Sequence, residues 1–144
     1  MKKTIFIASL ALIVASCTSG PETNNIEERK TNFAEMLDKP TVIEFEEMAF
    51  DFGTVKDGEQ VNHVFKFKNT GSETLVLLDV KGSCGCTVPV WPRNPILPGE
   101  SGEIDVTFDS ENRVGKVRKT VRIQANTEPS KTTLEITGEV IERN

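Results

Sequence analysis

Cys84 and Cys86, in the run Ser83-Cys84-Gly85-Cys86-Thr87, are the residues of this chain best placed by type and spacing to do chemistry. Three readings of the pair stand side by side. In the first it is a structural corner, because cysteine packs as a small hydrophobe and a glycine lets a strand turn. In the second it is a redox-active disulfide. Gly85 can take positive φ and draw the two Cα atoms together. Bridge geometry still needs Cα atoms about 4.4–6.8 Å apart, which predicts strain at this spacing and ready reduction. So short a loop constrains the unfolded chain little, so the bridge would stabilise the fold only slightly. In the third reading, two thiolates hold a soft ion. Zinc pairs are usually spaced more widely, so Cu(I), which tolerates low coordination, ranks ahead of zinc. His63, the single histidine, is the candidate third ligand, and Met36 and Met48 are distant in sequence. No metal site is firmly indicated, and no other cofactor is expected.

His63 also has a structural reading, as a hydrogen-bonded histidine at the edge of an aromatic core. Trp91 lies in a loop stiffened by Pro89, Pro92, Pro95 and Pro98, where it would cap one end of the fold or face a partner. Beyond these residues the repertoire is thin. The chain has no tyrosine, no phosphate-cradling glycine loop and no paired-carboxylate motif. The expectation is a protein that is not an enzyme.

The elements that position these residues are strands. From Val42 onward the apolar period is two. Ile43 and Phe45 alternate with Glu44 and Glu46, and Phe50 and Phe52 flank Asp51, with Gly53 ending that run. Val61, His63, Phe65 and Phe67 share a face, opposite Asn62, Lys66 and Lys68. Residues 74–80, Thr-Leu-Val-Leu-Leu-Asp-Val, are apolar on both faces, which predicts a central, doubly covered strand. Ile104, Val106 and Phe108 point inward, as do Val117, Val121, Ile123 and Ala125, with Lys119 interrupting the row at a bulge or rim. Leu134, Ile136 and Val140 close the pattern. Seven to eight short strands with turn residues between them predict an all-β, immunoglobulin-like antiparallel β-sandwich over residues 42–144. An eight-strand barrel is the structural alternative. Acidic residues at 103–109 and basic residues at 116–122 mark outer faces, expected to be solvated and paired across neighbouring strands.

The N-terminus reads as an address. Lys2 and Lys3 precede an apolar stretch from Ile5 to Ala15, followed by Ser16 and Cys17. A basic region, a short apolar region and small residues at its end make a secretory signal over 1–16. Val14-Ala15-Ser16-Cys17 resembles a bacterial lipobox, which implies lipidation of Cys17 and durable anchoring through several acyl chains. Cys84 and Cys86 are then the only free thiols, in a compartment where disulfides persist. Residues 17–41 form the lipidated cysteine and a polar tether, able to reach about 80 Å when extended. Ile26, Phe33 and Leu37 share a helical face, predicting a marginal helix over about 25–37 that ends before Pro40. Thr18, rather than Asp, follows Cys17, and Glu22 is the one acidic residue in Cys-Thr-Ser-Gly-Pro-Glu-Thr-Asn-Asn. By resemblance to lipoprotein sorting rules, this favours the outer membrane, facing the periplasm.

The formal net charge is −5, which disfavours nucleic acid as a partner because phosphate binding needs a basic field. With 144 residues, the chain holds one folded domain.

Five segments in order, Phe-Asp-Phe-Gly-Thr-Val (50–55), His-Val-Phe-Lys-Phe-Lys-Asn-Thr-Gly (63–71), Ser-Cys-Gly-Cys-Thr-Val-Pro (83–89), Leu-Pro-Gly-Glu through Phe-Asp (97–109) and Thr-Gly-Glu-Val (137–140), resemble the bacterial envelope family filed as domain of unknown function 1573. The resemblance covers roughly 42–140. That family is similar to immunoglobulin-like scaffold domains of the sperm-protein and hydin type, which bind partners. The resemblance implies a fold and a location but no established reaction.

The function expected is therefore a lipid-anchored periplasmic binding or scaffold module, held to the membrane by its lipid, with a protein or envelope polymer as partner. The alternative is a thiol-redox or Cu(I)-handling protein using Cys84, Cys86 and His63. Cells fed radiolabelled palmitate should label the wild-type chain, and Cys17→Ser should abolish the label while leaving an unprocessed, slower-migrating precursor.

Overall fold

Strict alternation along the strands builds two apolar faces, and these close on each other. The computed structural model describes residues 24–143. The signal segment 1–16 and Cys17 lie outside the described residues. One helix, α1 (Asn24–Leu37), precedes eight strands: β1 (Ile43–Phe45), β2 (Ala49–Lys56), β3 (Gln60–Asn69), β4 (Leu77–Gly82), β5 (Thr87–Val90), β6 (Ser101–Asp109), β7 (Gly115–Ala125) and β8 (Lys131–Ile141). They form two four-stranded sheets, β1-β3-β6-β5 and β2-β8-β7-β4. Two separate sheets make this a sandwich, not a barrel.

The first and second strands are two parts of one edge. β1 pairs antiparallel with β3 in the first sheet, and β2 pairs in parallel with β8 in the second. That parallel pair is the one departure from the expected antiparallel pattern among the described ladders. Phe65, Phe67 and Phe108 are fully buried between the sheets with Ile104, Val106, Val121, Ile123, Leu134 and Ile136. Phe45, Phe50 and Phe52 pack on this core from its margins.

Two local expectations are corrected, and a third, left between two alternatives, is resolved. Gly53 does not end its strand: with φ +70° it carries a register shift between Asp51 and Thr54, and β2 continues to Lys56. A glycine is needed there because only it takes that φ without strain. Residues 74–80 are not a central strand, since β4 lies at the edge of its sheet. Their double-sided apolarity has another cause. Leu75 bridges Ile96, Val76 donates its N–H to Asn126, and Leu78, at the register shift of β4, stays exposed. Lys119 sits in regular pairing with Ile136, where β7 runs on past the last β4 partner, Gly82. It marks a rim and not a bulge.

Two buried asparagines hold the end of the sandwich where the tether enters. Asn126 takes the Val76 N–H on its Oδ1 at 2.7 Å, and its Nδ2 faces the carbonyls of Met36, Lys39 and Thr74 at 2.8–3.0 Å. The end of α1 is thereby docked on the domain. Asn69 donates to the carbonyls of Glu73 and Ile96 and accepts from Thr41 Oγ1 and the Gly71 N–H. Lys39, beyond the helix, hydrogen-bonds Glu35, which raises its ammonium above the ordinary lysine value. Asn126→Ala leaves the Val76 N–H without its acceptor and should lower stability by about 3 kcal/mol, read as a shift in the urea midpoint with an unchanged slope.

Candidate functional site

The Cys84–Cys86 segment is the point where the chain leaves the second sheet, at the end of β4, and enters the first, at the start of β5. The corner is held by main-chain bonds and one serine hydroxyl. The Ser83 N–H donates to the Thr120 carbonyl at 2.8 Å, and the Thr120 N–H donates to Ser83 Oγ at 3.1 Å. A turn follows, in which the Thr87 N–H donates to the Cys84 carbonyl at 3.2 Å. The Asp109 N–H of β6 then donates to the Cys86 carbonyl at 2.9 Å. This turn brings the two Cα atoms to 5.2 Å, and the sulfurs are joined as a disulfide. Corner and bridge, set apart as alternatives by sequence, occur together.

The two sulfurs have different surroundings. Cys86 is 6% exposed and packs with Phe108, Val117 and Val140, while Cys84 is only partly buried beside it. Thr87 Oγ1 lies 3.6 Å from Cys84 Sγ and 3.8 Å from Cys86 Sγ. The glycine between them behaves differently from expectation. Gly85 is not among the positive-φ glycines, and a Cβ built on it would meet nothing. The sterically required glycine is Gly82, where a methyl group would overlap the Thr87 carbonyl. Sequence reading missed Gly82 because its constraint comes from a residue five positions on, folded back against it.

His63 is not brought to this corner. Its ring stacks on Phe50 with centroids 3.6 Å apart and 6° between planes, and meets Phe65 edge-on at 4.7 Å. Its Nε2 lies 2.8 Å from Glu47 Oε1. It clamps the segment joining β1 to β2 onto β3. The arrangement is that of a hydrogen-bonded histidine at the margin of an aromatic core. Glu47 gave no signal in sequence, because a glutamate in an acidic run reads as solvated. Among the described residues no three of His, Cys, Asp and Glu converge on one point. Thiolate ligation by the cysteines would require the bridge to be reduced first.

Trp91 is partly buried against the main core, with the Arg93 guanidinium 3.6 Å above its ring. Its buried indole N–H has no acceptor among the described residues. It lines a depression of about 630 Å³ with Val90, Pro92, Glu46, Lys66 and Glu103. In the acidic stripe of β6, Glu103 lies opposite Lys66 of β3, while Asp105 and Asp109 lie opposite Val64 and Gln60. In the basic stripe, Arg118 bonds Glu135 of β8 through Nε at 2.8 Å and Nη2 at 2.6 Å.

The free edge of β5 is closed to strand addition. The Asp109-to-Cys86 bond sets the ladder phase, so the main-chain groups of Val88 face β6 and those of Thr87 and Pro89 face outward. Thr87 has spent its N–H on Cys84, and Pro89 has none. What this edge offers a partner is side chains: Val88 and Val90 are 55% and 65% exposed.

Residues 43–140 match the family model described as "Protein of unknown function (DUF1573)". Among solved structures, the chain is similar to a protein of unknown function from Porphyromonas gingivalis W83, at 20% identity and TM-score 0.61, covering 70% of this chain and 47% of that one. It is also similar to the ASH/PapD-like domain 7 of human CEP192, at 16% identity and TM-score 0.54, covering 96% and 99%. The VesB protease of Vibrio cholerae is a third, at 12% identity and TM-score 0.56, where the match covers 76% of this chain but 34% of the protease chain. At these identities the shared feature is the fold. No curated protein matches the chain.

The two glycines of the corner should separate cleanly under substitution. Gly82→Ala is expected to cost about 1–3 kcal/mol through overpacking. Gly85→Ala should stay within about 0.5 kcal/mol of wild type. Thermal unfolding of the two variants side by side checks this.

Proposed function

The chain belongs, through residues 43–140, to the DUF1573 family, and on that footing we propose that it is a lipid-anchored binding or scaffold module of the bacterial envelope with no catalytic activity of its own. Cys17 carries the lipid, and the tether ending in α1 spaces the sandwich from an outer membrane whose periplasmic side it faces. The partner is a protein or envelope polymer.

The observation that supports this reading best is the side-chain surface around β5. Val88, Val90 and the Trp91 depression form an exposed apolar patch. Glu46, Glu103 and Asp105 border it, with Lys66 among them and the Arg93 guanidinium over the Trp91 ring. Such a patch, rimmed by charge, is where partners dock. Because the β5 edge offers no free N–H, recognition works through pockets and side chains, not through an added strand. Trp91 is the natural anchor, since tryptophan is enriched among residues that dominate binding energy.

Photo-crosslinking in intact cells tests this. A benzophenone side chain at position 90 should give a discrete adduct, identified by mass spectrometry. The same group at position 124, on the outer face of the second sheet, should give none. Trp91→Ala should abolish the adduct at 90 without lowering the amount of chain in the membrane. Equal adducts at both positions, or none at 90, would count against the reading.

A further inference from the structure

We propose that the Cys84–Cys86 bridge is a thiol–disulfide exchange site, which accepts an electron pair from a partner carrying a dithiol, with Cys84 as the sulfur attacked. This is independent of the β5 surface and its partner.

Four observations carry it. The bridge joins residues separated by two positions, so it closes too short a loop to restrict the unfolded chain appreciably. The corner it spans is held without it, by the Ser83–Thr120 pair and the bonds to the Cys84 and Cys86 carbonyls. A bridge placed for stability would be redundant here. Second, the sulfurs are unequal in access: Cys84 is partly exposed, whereas Cys86 lies against Phe108, Val117 and Val140. Third, the fold has no steric need for glycine at 85, which takes no positive φ and has open space beyond it. Gly85 lies inside the ring that the bridge closes, and on this proposal its missing side chain leaves the approach to the sulfurs open. Access to the bridge explains what backbone geometry does not. Fourth, Thr87 Oγ1 stands within 3.6 and 3.8 Å of the two sulfurs, where its hydroxyl can donate to a thiolate on either. Burial among apolar groups disfavours a thiolate on Cys86, and the Thr87 hydroxyl is the group placed to offset that.

The chemistry balances as follows. One thiolate of the partner attacks Cys84 Sγ, forming a mixed disulfide as the Cys84–Cys86 bond breaks. The electron pair leaves on Cys86 Sγ, held by the Thr87 hydroxyl until it takes up a proton. The partner's second thiolate then attacks its own sulfur in the mixed disulfide. The electron pair leaves on Cys84 Sγ, which takes up the second proton. The bridge is reduced to two thiols, and the partner's dithiol is oxidised to a disulfide. The main-chain bonds of the corner do not depend on the bridge, so the sandwich stays folded throughout.

The test uses the full-length chain in detergent and dithiothreitol as the probe dithiol. Trypsin releases residues 82–93 as one peptide holding both cysteines, separate from Cys17. Alkylation followed by mass measurement of this peptide therefore counts reduced pairs, while circular dichroism follows the fold. The expected result is double alkylation with an unchanged spectrum, and re-formation of the bridge on adding oxidised dithiothreitol. Gly85→Val should slow reduction about tenfold by blocking access. Thr87→Val should slow it too, and Thr87→Ser should restore it. Alkylation only when the domain unfolds, failure of the bridge to re-form, or wild-type rates in both slowing variants would overturn the proposal. If Thr87→Val does not fold, Gly85→Val alone decides it, since that position has room for a side chain.

Discussion

Every passage of this chain from one sheet to the other takes backbone N–H and C=O groups out of a ladder, and each must find a partner before the core can close. The chain makes that passage five times, and a different local device serves each one. His63 and Glu47 pin the segment between β1 and β2. Between β2 and β3, Glu59 accepts the Lys56 N–H, and Asp57 donates its own N–H to the Ile141 carbonyl. Asn69 completes the exit from β3. Ser110 and Asp57 serve the step from β6 to β7. The remaining passage, from β4 to β5, is the Cys-Gly-Cys corner. The aromatic core is the larger source of free energy, but it forms only because these crossings leave few groups unpaired.

The two ends of the sandwich solve this problem in different materials. At the tether end, Asn69 and Asn126 form networks that are buried and saturated. At the other end, backbone bonds are joined by the shorter side chains of Ser83 and Ser110 and the carboxylates of Asp57 and Glu59, each meeting a main-chain group. The disulfide, Gly85 and the Thr87 hydroxyl are additions to a corner that is already closed. This asymmetry separates a structural end from a candidate chemical one, and it draws His63 away from the cysteines. The histidine is committed to the seam between β1 and β2, where stacking on Phe50 and the Glu47 contact hold it.

Much of the fold was legible from residue types. Alternation assigned the inward faces of β3, β6, β7 and β8, because a half-buried strand must place every second side chain in the core. The helix before Pro40 was legible from a helical period, although Phe33 on that face stays exposed. The errors share a cause. Leu75 and Val76 look like the middle of a covered strand because burial leaves the same apolar mark whether it comes from a second sheet or from Ile96 and Asn126. Gly53 reads as a stop because a glycine at a bulge and a glycine at a turn are identical in sequence. Asn69 and Asn126 carry no mark in the sequence, since nothing local reports that their side chains will meet three and four backbone groups.

For the candidate site, residue chemistry alone narrowed the search to Cys84, Cys86, His63 and Trp91. It also established that the cysteine spacing is too short for a conventional staple, since ring size follows from covalent connectivity. Apolar periodicity decided the architecture in the same way, being a property of neighbours along the chain. Tertiary structure alone decided which cysteine is accessible, that His63 pairs with Glu47, that Gly82 and not Gly85 is sterically required, and that the β5 edge has no free N–H. Each of these depends on groups far apart in sequence meeting within a few ångströms, and that proximity is set only when the two sheets pack.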